Sequence, residues 1–481
     1  MSFIPIRFLF FLFGFFLSLA LVSTESGAQN LPSSDSTLSP INFFESVAKN
    51  HPLVRQAGLF LTAADRELLM ARGQFDPKLL AHLNRKSFDG KEYYNLFNPE
   101  IKAGLWPGID VKAGFERNTG IYVNEEDNTP LSGLQYLGVS VPLGQGLITD
   151  ARRVAVKQAR LGMQMADAER QKQVNKVLFS AAKSYWEWFF KYQQLRNAEL
   201  AFSLASERYN AVRVRILVGD LASIDSVEAL IFRQDRELFL NQARIEEQNA
   251  RLDLSSFFWS EDEKPLDLLL GTRPVLPAAY LALWSDSTVA EAQRQAITNH
   301  PEIQKIAIKT RSLELDRSLG REMLKPLVQV NYSWLSRTDQ SVWATQTLDR
   351  NYKFGFDFAL PLFLRKERGK LGLVKTKLLQ NNLDFQQAQR DLNISIQMSA
   401  NEMRNLNQQI EMQNAMVENY QKLRNAEIRK FENGESSLFL INSREAKLIE
   451  SIIKQASLVS KFQKERAALL YAAGRNALLP F

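Results

Sequence analysis

Residues 174–220 read VNKVLFSAAKSYWEWFFKYQQLRNAELAFSLASERYNAVRVRILVGD. Val174, Leu178, Ala181, Tyr185, Trp188, Tyr192, Leu195, Phe202, Ala205, Tyr209, Val212 and Ile216 recur at spacings of three, four or seven. That is a coiled-coil seam on a charged, glutamine-rich helix. The pattern extends back to about Ile148 and on to Leu217 without a proline. Some 70 residues of helix would reach roughly 105 Å, too long for an ordinary domain, so the helix must pack lengthwise against others. Gly219 stops it in a left-handed turn that other residues enter at a cost of about 1–2 kcal/mol. A second helical run, Ser223 to about Phe258, makes an antiparallel hairpin with Gly219 at its tip.

The rest of the chain repeats this plan. Asn50-His51-Pro52 returns as Asn299-His300-Pro301, and Pro77 returns as Pro326, both 249 residues on. Val141-Pro142-Leu143 pairs with Leu360-Pro361-Leu362, and Gly219-Asp220 with Gly434-Glu435. A tandem duplication is expected. Its first repeat covers residues 29–259, with strands at about 78–143 and a helical hairpin at 148–258. Residues 260–286 form a connector broken by Pro265, Pro274 and Pro277. The second repeat covers residues 287–475, with strands at about 327–361 and a hairpin at 364–474, and residues 476–481 are a tail.

Strand signals are cleanest in the second repeat. Val328, Val330, Tyr332 and Trp334 alternate with Gln329, Asn331, Ser333 and Leu335. Tyr352, Phe354, Phe356, Phe358 and Leu360 alternate with Lys353, Gly355, Asp357 and Ala359. Strands of this length, aromatic on one face and polar on the other, suit a membrane barrel with lipid outside and water inside. An amphipathic hairpin on a soluble core is the alternative. In the first repeat Gly133–Leu143 alternates likewise, with Leu79–Phe88 as its weaker partner. Between them Glu100–Trp106 and Gly108–Arg117 form an extra hairpin whose place in the barrel the sequence leaves open. Four to six strands cannot close a membrane barrel alone, and open edges are not tolerated in lipid, so several copies must share one.

Net charge is +7, with the basic residues spread along helix faces, which reads as solvated coiled-coil surface rather than a nucleic-acid patch. Arg7, the apolar run Phe8–Val22 and Ser26-Gly27-Ala28 form a signal peptide over residues 1–28, in preference to a transmembrane anchor. There is no cysteine, hence no disulfide, thiolate zinc site or lipid-bearing cysteine. His51, His82 and His300 are far apart, and two occupy matching turns, so capping is expected rather than metal binding. Gly144-Gln145-Gly146 reads as a strand-to-helix bend, not a phosphate cradle. Trp186, Trp188, Phe189 and Phe190 read as helix packing rather than a cofactor box. No enzyme, metal or cofactor is expected.

These marks together resemble the TolC-type outer-membrane efflux proteins, the outer-membrane factors of tripartite efflux pumps and type I secretion systems. The resemblance rests on the duplicated hairpins, the two Pro-Leu strand ends and the two tips. The tips read Gly219-Asp220-Leu221-Ala222-Ser223-Ile224-Asp225 and Asn433-Gly434-Glu435-Ser436-Ser437-Leu438. It implies a mainly α chain with a transmembrane β-barrel portion: a homotrimer with a shared twelve-stranded β-barrel in outer-membrane lipid and a periplasmic α-barrel. A periplasmic adaptor would dock at the tips and, through it, an inner-membrane pump. The docking residues would be Gly219, Asp220, Leu221, Ala222, Ser223, Gly434, Glu435, Ser436, Ser437 and Leu438. Some members close the periplasmic mouth with aspartates six and nine residues after the second tip glycine, where this chain has Leu440 and Ser443. Asp225 matches an aspartate after the first glycine, but Ser436 replaces its usual arginine partner, leaving Arg444 or Arg429 as cations. A periplasmic coiled-coil scaffold without a pore is the competing function. Whether the cargo is a drug, a metal or a protein is not written in the sequence.

Overall fold

The computed structural model describes residues 37–276, 285–338 and 350–475. The expected signal peptide, part of the connector and the tail lie outside the described residues. The elements in order are β1 (Thr37–Leu38), α1 (Pro40–Asn50), α2 (Pro52–Arg72), β2 (Lys78–Phe88), β3 (Lys91–Gly104), β4 (Asp110–Thr119), β5 (Leu134–Pro142), α3 (Ala151–Leu217) and α4 (Ser223–Ser255). Then come β6 (Arg273–Pro274), α5 (Asp286–Asn299), α6 (Pro301–Glu322), β7 (Leu327–Arg337), β8 (Tyr352–Ala359), α7 (Arg365–Glu432) and α8 (Leu438–Ala472).

The long helices are α3, of 67 residues, and α7, of 68, each about 100 Å of helix at 1.5 Å per residue. Asp150 starts α3 by accepting the Arg153 N–H at 2.8 Å. The returning helices, α4 and α8, are 33 and 35 residues. The shorter α1 and α2 pack on α3, and α5 and α6 pack beside α7. Among the described residues no helix is long and apolar enough to cross a membrane.

The main core forms where α1, α3, α4 and α8 meet. Phe43, Phe44, Tyr185, Trp186 and Trp188 are buried there together. The expected seam is only part of what α3 buries: Ala182, Trp186 and Phe189 form a second buried stripe beside it. The reason is that α3 is gripped from two sides at this level. Trp188 Nε1–H donates to Glu247 of α4 at 3.0 Å, while Ser460 of α8 donates to the Trp186 carbonyl at 2.6 Å. The connector is held against the same core. β6 pairs with β1, and the Tyr185 hydroxyl accepts the Val275 N–H at 3.2 Å. Arg55 of α2 pairs with Glu263 at 2.8 Å.

The strands form one antiparallel sheet in the order β2-β3-β4-β5-β7-β8. Two expectations change here. Leu79–Phe88 is not the partner of Gly133–Leu143: two strands separate them, because β2 pairs with β3 and β5 pairs with β4 and β7. The extra hairpin is longer than expected and lies inside the sheet as β3 and β4. Six described strands lie in this sheet, within the four to six expected, whereas the twelve-stranded barrel implied by the resemblance would take four from each of three copies.

Candidate functional site

The register gives the sheet two chemically distinct faces. One row of directly opposed residues runs Leu79, Ile101, Ala113, Leu137, Trp334, Tyr352, apolar across all six strands. Val330 opposes Phe356, Val328 opposes Phe358 and Tyr332 opposes Phe354 on the same face, and Phe354, Phe356 and Phe358 are exposed. The neighbouring row on the other face runs Lys78, Lys102, Lys112, Gly138, Ser333, Lys353. A lysine in hydrocarbon costs about 2–4 kcal/mol near the midplane, so four in one row require water on this side. The polar face is also cross-linked. Ser140 donates to Asn331 at 2.5 Å, Asn331 donates to Asp357 at 2.7 Å, and Tyr136 donates to Glu100 at 2.6 Å. His82 lies on this face opposite Asn98.

The sheet is fixed to the helices at its base. Arg152 bridges Asp110 at 2.9 Å and Asp150 at 3.7 Å, and Lys102 reaches Asp110 at 3.4 Å. Trp106, in the turn between β3 and β4, meets Phe75 below α2 with ring centroids 5.5 Å apart. Gly144 makes the strand-to-helix bend, where a Cβ would stand 2.2 Å from the Pro326 carbonyl oxygen.

At the far end both hairpins turn alike. Gly219 has φ +81° and Gly434 φ +78°. The Asp220 N–H donates to the Arg215 carbonyl at 2.9 Å, and the Glu435 N–H to the Lys430 carbonyl at 2.8 Å. These are six-to-one closures at a helix C-terminus, which need a left-handed residue. Gly219, Asp220, Ala222, Ser223, Gly434, Glu435 and Ser437 are exposed, and Ser436 is half-buried. Two of the expected docking residues are turned inward. Leu438 is 4% exposed and packs with Val212 and Ala229, with half-buried Leu221 and Phe431 against them. The two tips are thus joined by a small apolar core. The large exposed apolar side chains here are others: Leu217, Val218, Ile224 and Phe439, between 64% and 85% exposed. For Leu217 and Val218 the signal in the sequence is the run Ile216-Leu217-Val218, which continues past the seam period.

The candidate gate residues do not meet one another. Asp225 accepts the N–H of Ala222 at 3.2 Å and so caps its own helix. Arg444, expected as its cation, lies 3.6 Å from Glu427. Ser436 donates to Glu427 at 2.6 Å, and this bond, with Arg444 beside it, holds the Glu427 carboxyl below its usual range. Leu440 and Ser443 are exposed. Near the tips a charged link between the hairpins runs instead through Arg208. It pairs with Glu445 of α8 and donates to Asn442 at 2.9 Å, and Asn442 donates to Glu228 of α4 at 3.3 Å. In the sequence Arg208 and Glu445 each look like one more charge on a solvated helix. No metal-holding group of acidic, histidine or cysteine side chains occurs among the described residues.

Residues 292–474 match the family described as "Outer membrane efflux protein". No curated protein matches the chain in sequence. Among solved structures the chain is similar to the open-state MtrE outer membrane channel of Neisseria gonorrhoeae, with 14% identity, 91% of this chain and 89% of that one covered, and a TM-score of 0.66. It is similar to the Campylobacter jejuni CmeC outer membrane channel at 13% identity, covering 90% and 85%, with a TM-score of 0.62. For the outer membrane protein VceC of Vibrio cholerae the values are 13%, 91% and 96%, and 0.60. At these identities the likeness establishes the fold, and the match to the family model lies in the second repeat. Proteins of this family are transport conduits rather than enzymes. The chain has the TolC-type fold, and its residues 292–474 match the outer membrane efflux protein family.

Proposed function

We propose that this protein is the subunit of an outer-membrane efflux or secretion channel, assembled from three copies. The observation that carries this is the six-stranded sheet with one wholly apolar row and an adjacent row of four lysines. Such a sheet is stable with hydrocarbon on one side and water on the other, and its two free edges need partners in lipid. The apolar face, with Val328, Val330, Tyr332, Trp334, Phe354, Phe356 and Phe358, contacts outer-membrane lipid. The helices, about 100 Å long, continue from the sheet into the periplasm and line the duct there.

The exposed end of the hairpins receives a periplasmic adaptor, which couples the duct to an inner-membrane pump. Gly219 and Gly434 let the chain reverse tightly, Ala222, Ser223 and Ser437 leave space beside them, and Leu217, Ile224 and Phe439 supply apolar contact. Reconstitution tests the reading. The mature protein in mild detergent should have the mass of three copies and give discrete conductance steps in a planar bilayer. A folded monomer that never conducts would favour the scaffold without a pore.

A further inference from the structure

The strand count sets how copies meet. Within the sheet β3, β4, β5 and β7 each have both edges hydrogen-bonded to a neighbour of the same chain, which among the described residues leaves only the outer edges of β2 and β8. A barrel drawn from β4, β5, β7 and β8 alone would give β4 a third neighbour, which a strand cannot have.

We infer that the barrel closes by pairing β8 of each copy with β2 of the next, so that every copy contributes six strands and three copies make eighteen. The inference rests on the channel reading above. The extra hairpin is built into the sheet: its faces keep the register of the neighbouring strands, and its inner turn is anchored to the helical root by Trp106 on Phe75 and by Asp110 on Arg152. An even number of antiparallel strands presents edges of opposite direction, so β8 meets β2 antiparallel in a ring of any size. The chemistry of the two edge strands also agrees. Leu79 and Leu83 on β2 share the apolar face with Phe356 and Phe358 on β8, and Lys78 shares the polar face with Asp357. Barrel diameter grows about linearly with strand number, and 16–18 strands leave an open aqueous channel. The exit is therefore wide enough for bulky hydrated cargo, and sieving falls to the helical end.

The chain has no cysteine, so introduced pairs report without background. Leu79→Cys, Ala81→Cys and Leu83→Cys are each combined with Phe354→Cys, Phe356→Cys or Phe358→Cys and oxidised in outer membranes. Val328→Cys with Phe358→Cys, opposed within one chain, is the control for oxidation. The expected result is covalent dimers and trimers from at least one β2–β8 pair, with the conducting species weighing three copies. Crosslinks between copies from Phe356→Cys to Ala113→Cys on β4 would overturn the closure while leaving the channel reading intact. So would a conducting oligomer in which every β2–β8 pair stays reduced while the control oxidises, or a conducting species of two copies. A protein that neither assembles nor conducts would remove the channel reading and this closure together.

Discussion

His51 and His300, 249 residues apart, hold the same backbone conformation, φ −63° and ψ 130°, and each accepts through Nδ1 the N–H of the residue two places on. The bonds are 3.2 Å to Leu53 and 3.1 Å to Glu302. Each imidazole caps a helix whose first residue is a proline, and it can do so only while Nδ1 is unprotonated. Burial pushes both pKa values below the ordinary 6.5; at His300 the nearby Glu302 opposes this and Lys172 reinforces it. The unfolded chain therefore takes up these protons first. Stability is complete above about pH 6.5 and falls as the pH drops through the folded values. Thermal unfolding at pH 7.5 and 5.5 should show the loss, and His51→Asn with His300→Asn should flatten it, since asparagine caps without titrating. Replacement by alanine should cost about 1 kcal/mol per site at pH 7.5. Equal acid sensitivity in the asparagine variant would remove the caps as its source.

Arg208 and Glu445 should behave as a unit. Glu445 is buried, so Arg208→Leu leaves a carboxylate without its cation, at a cost of about 3–5 kcal/mol, whereas Arg208→Leu with Glu445→Leu removes both charges and should be far milder. The single variant should loosen α8 from α3 near the tips, read as faster proteolysis there and higher resting conductance. If the single and double variants match, the ion pair does not hold the hairpins together.

Barrel and tips should fail separately. Nothing lies within 4 Å of a Cβ built on Gly219 or Gly434, so leucine there strains only the turn, by about 1–2 kcal/mol. Gly434→Leu and Phe439→Asp should each leave normal amounts of oligomer in the outer membrane with export lost. Wild-type export from both would take the tips out of the mechanism.

The two sheet faces should differ in what they tolerate. Phe356→Arg or Tyr332→Lys puts a cation on the apolar face, at about 2–4 kcal/mol per copy near the midplane, and should abolish assembly. Asp357→Asn keeps an acceptor for the Asn331 amide and should assemble normally, as should Gln329→Ala. Assembly assayed by detergent-resistant oligomers checks this, and equal tolerance on both faces would mean that the sheet does not separate lipid from water.

For Asp225 the expected outcome is small. Its carboxylate accepts the Ala222 N–H and Arg444 is engaged with Glu427, so Asp225→Ala should lose about 1 kcal/mol of helix capping. Single-channel recording should then show little change in resting conductance.

Local rules carried a long way in this chain. The seam from Val174 to Ile216, the glycine stops at Gly219 and Gly434 and the β7 span Leu327–Arg337 are legible because helix period, left-handed turns and two-residue alternation act between near neighbours. The matching histidine caps are legible for the same reason. What the sequence could not decide is which distant surfaces meet. Hydrophobic alternation names the faces of a strand but not its neighbours, so the place of β3 and β4 between β2 and β5 came only with the register of the folded sheet. Charge on a helix looks solvated until another helix covers it, and burial of Glu445 against Arg208 depends on α3 and α8 lying side by side. Leu438 likewise turns inward because a second tip, more than 200 residues away in sequence, packs on it through Val212 and Ala229.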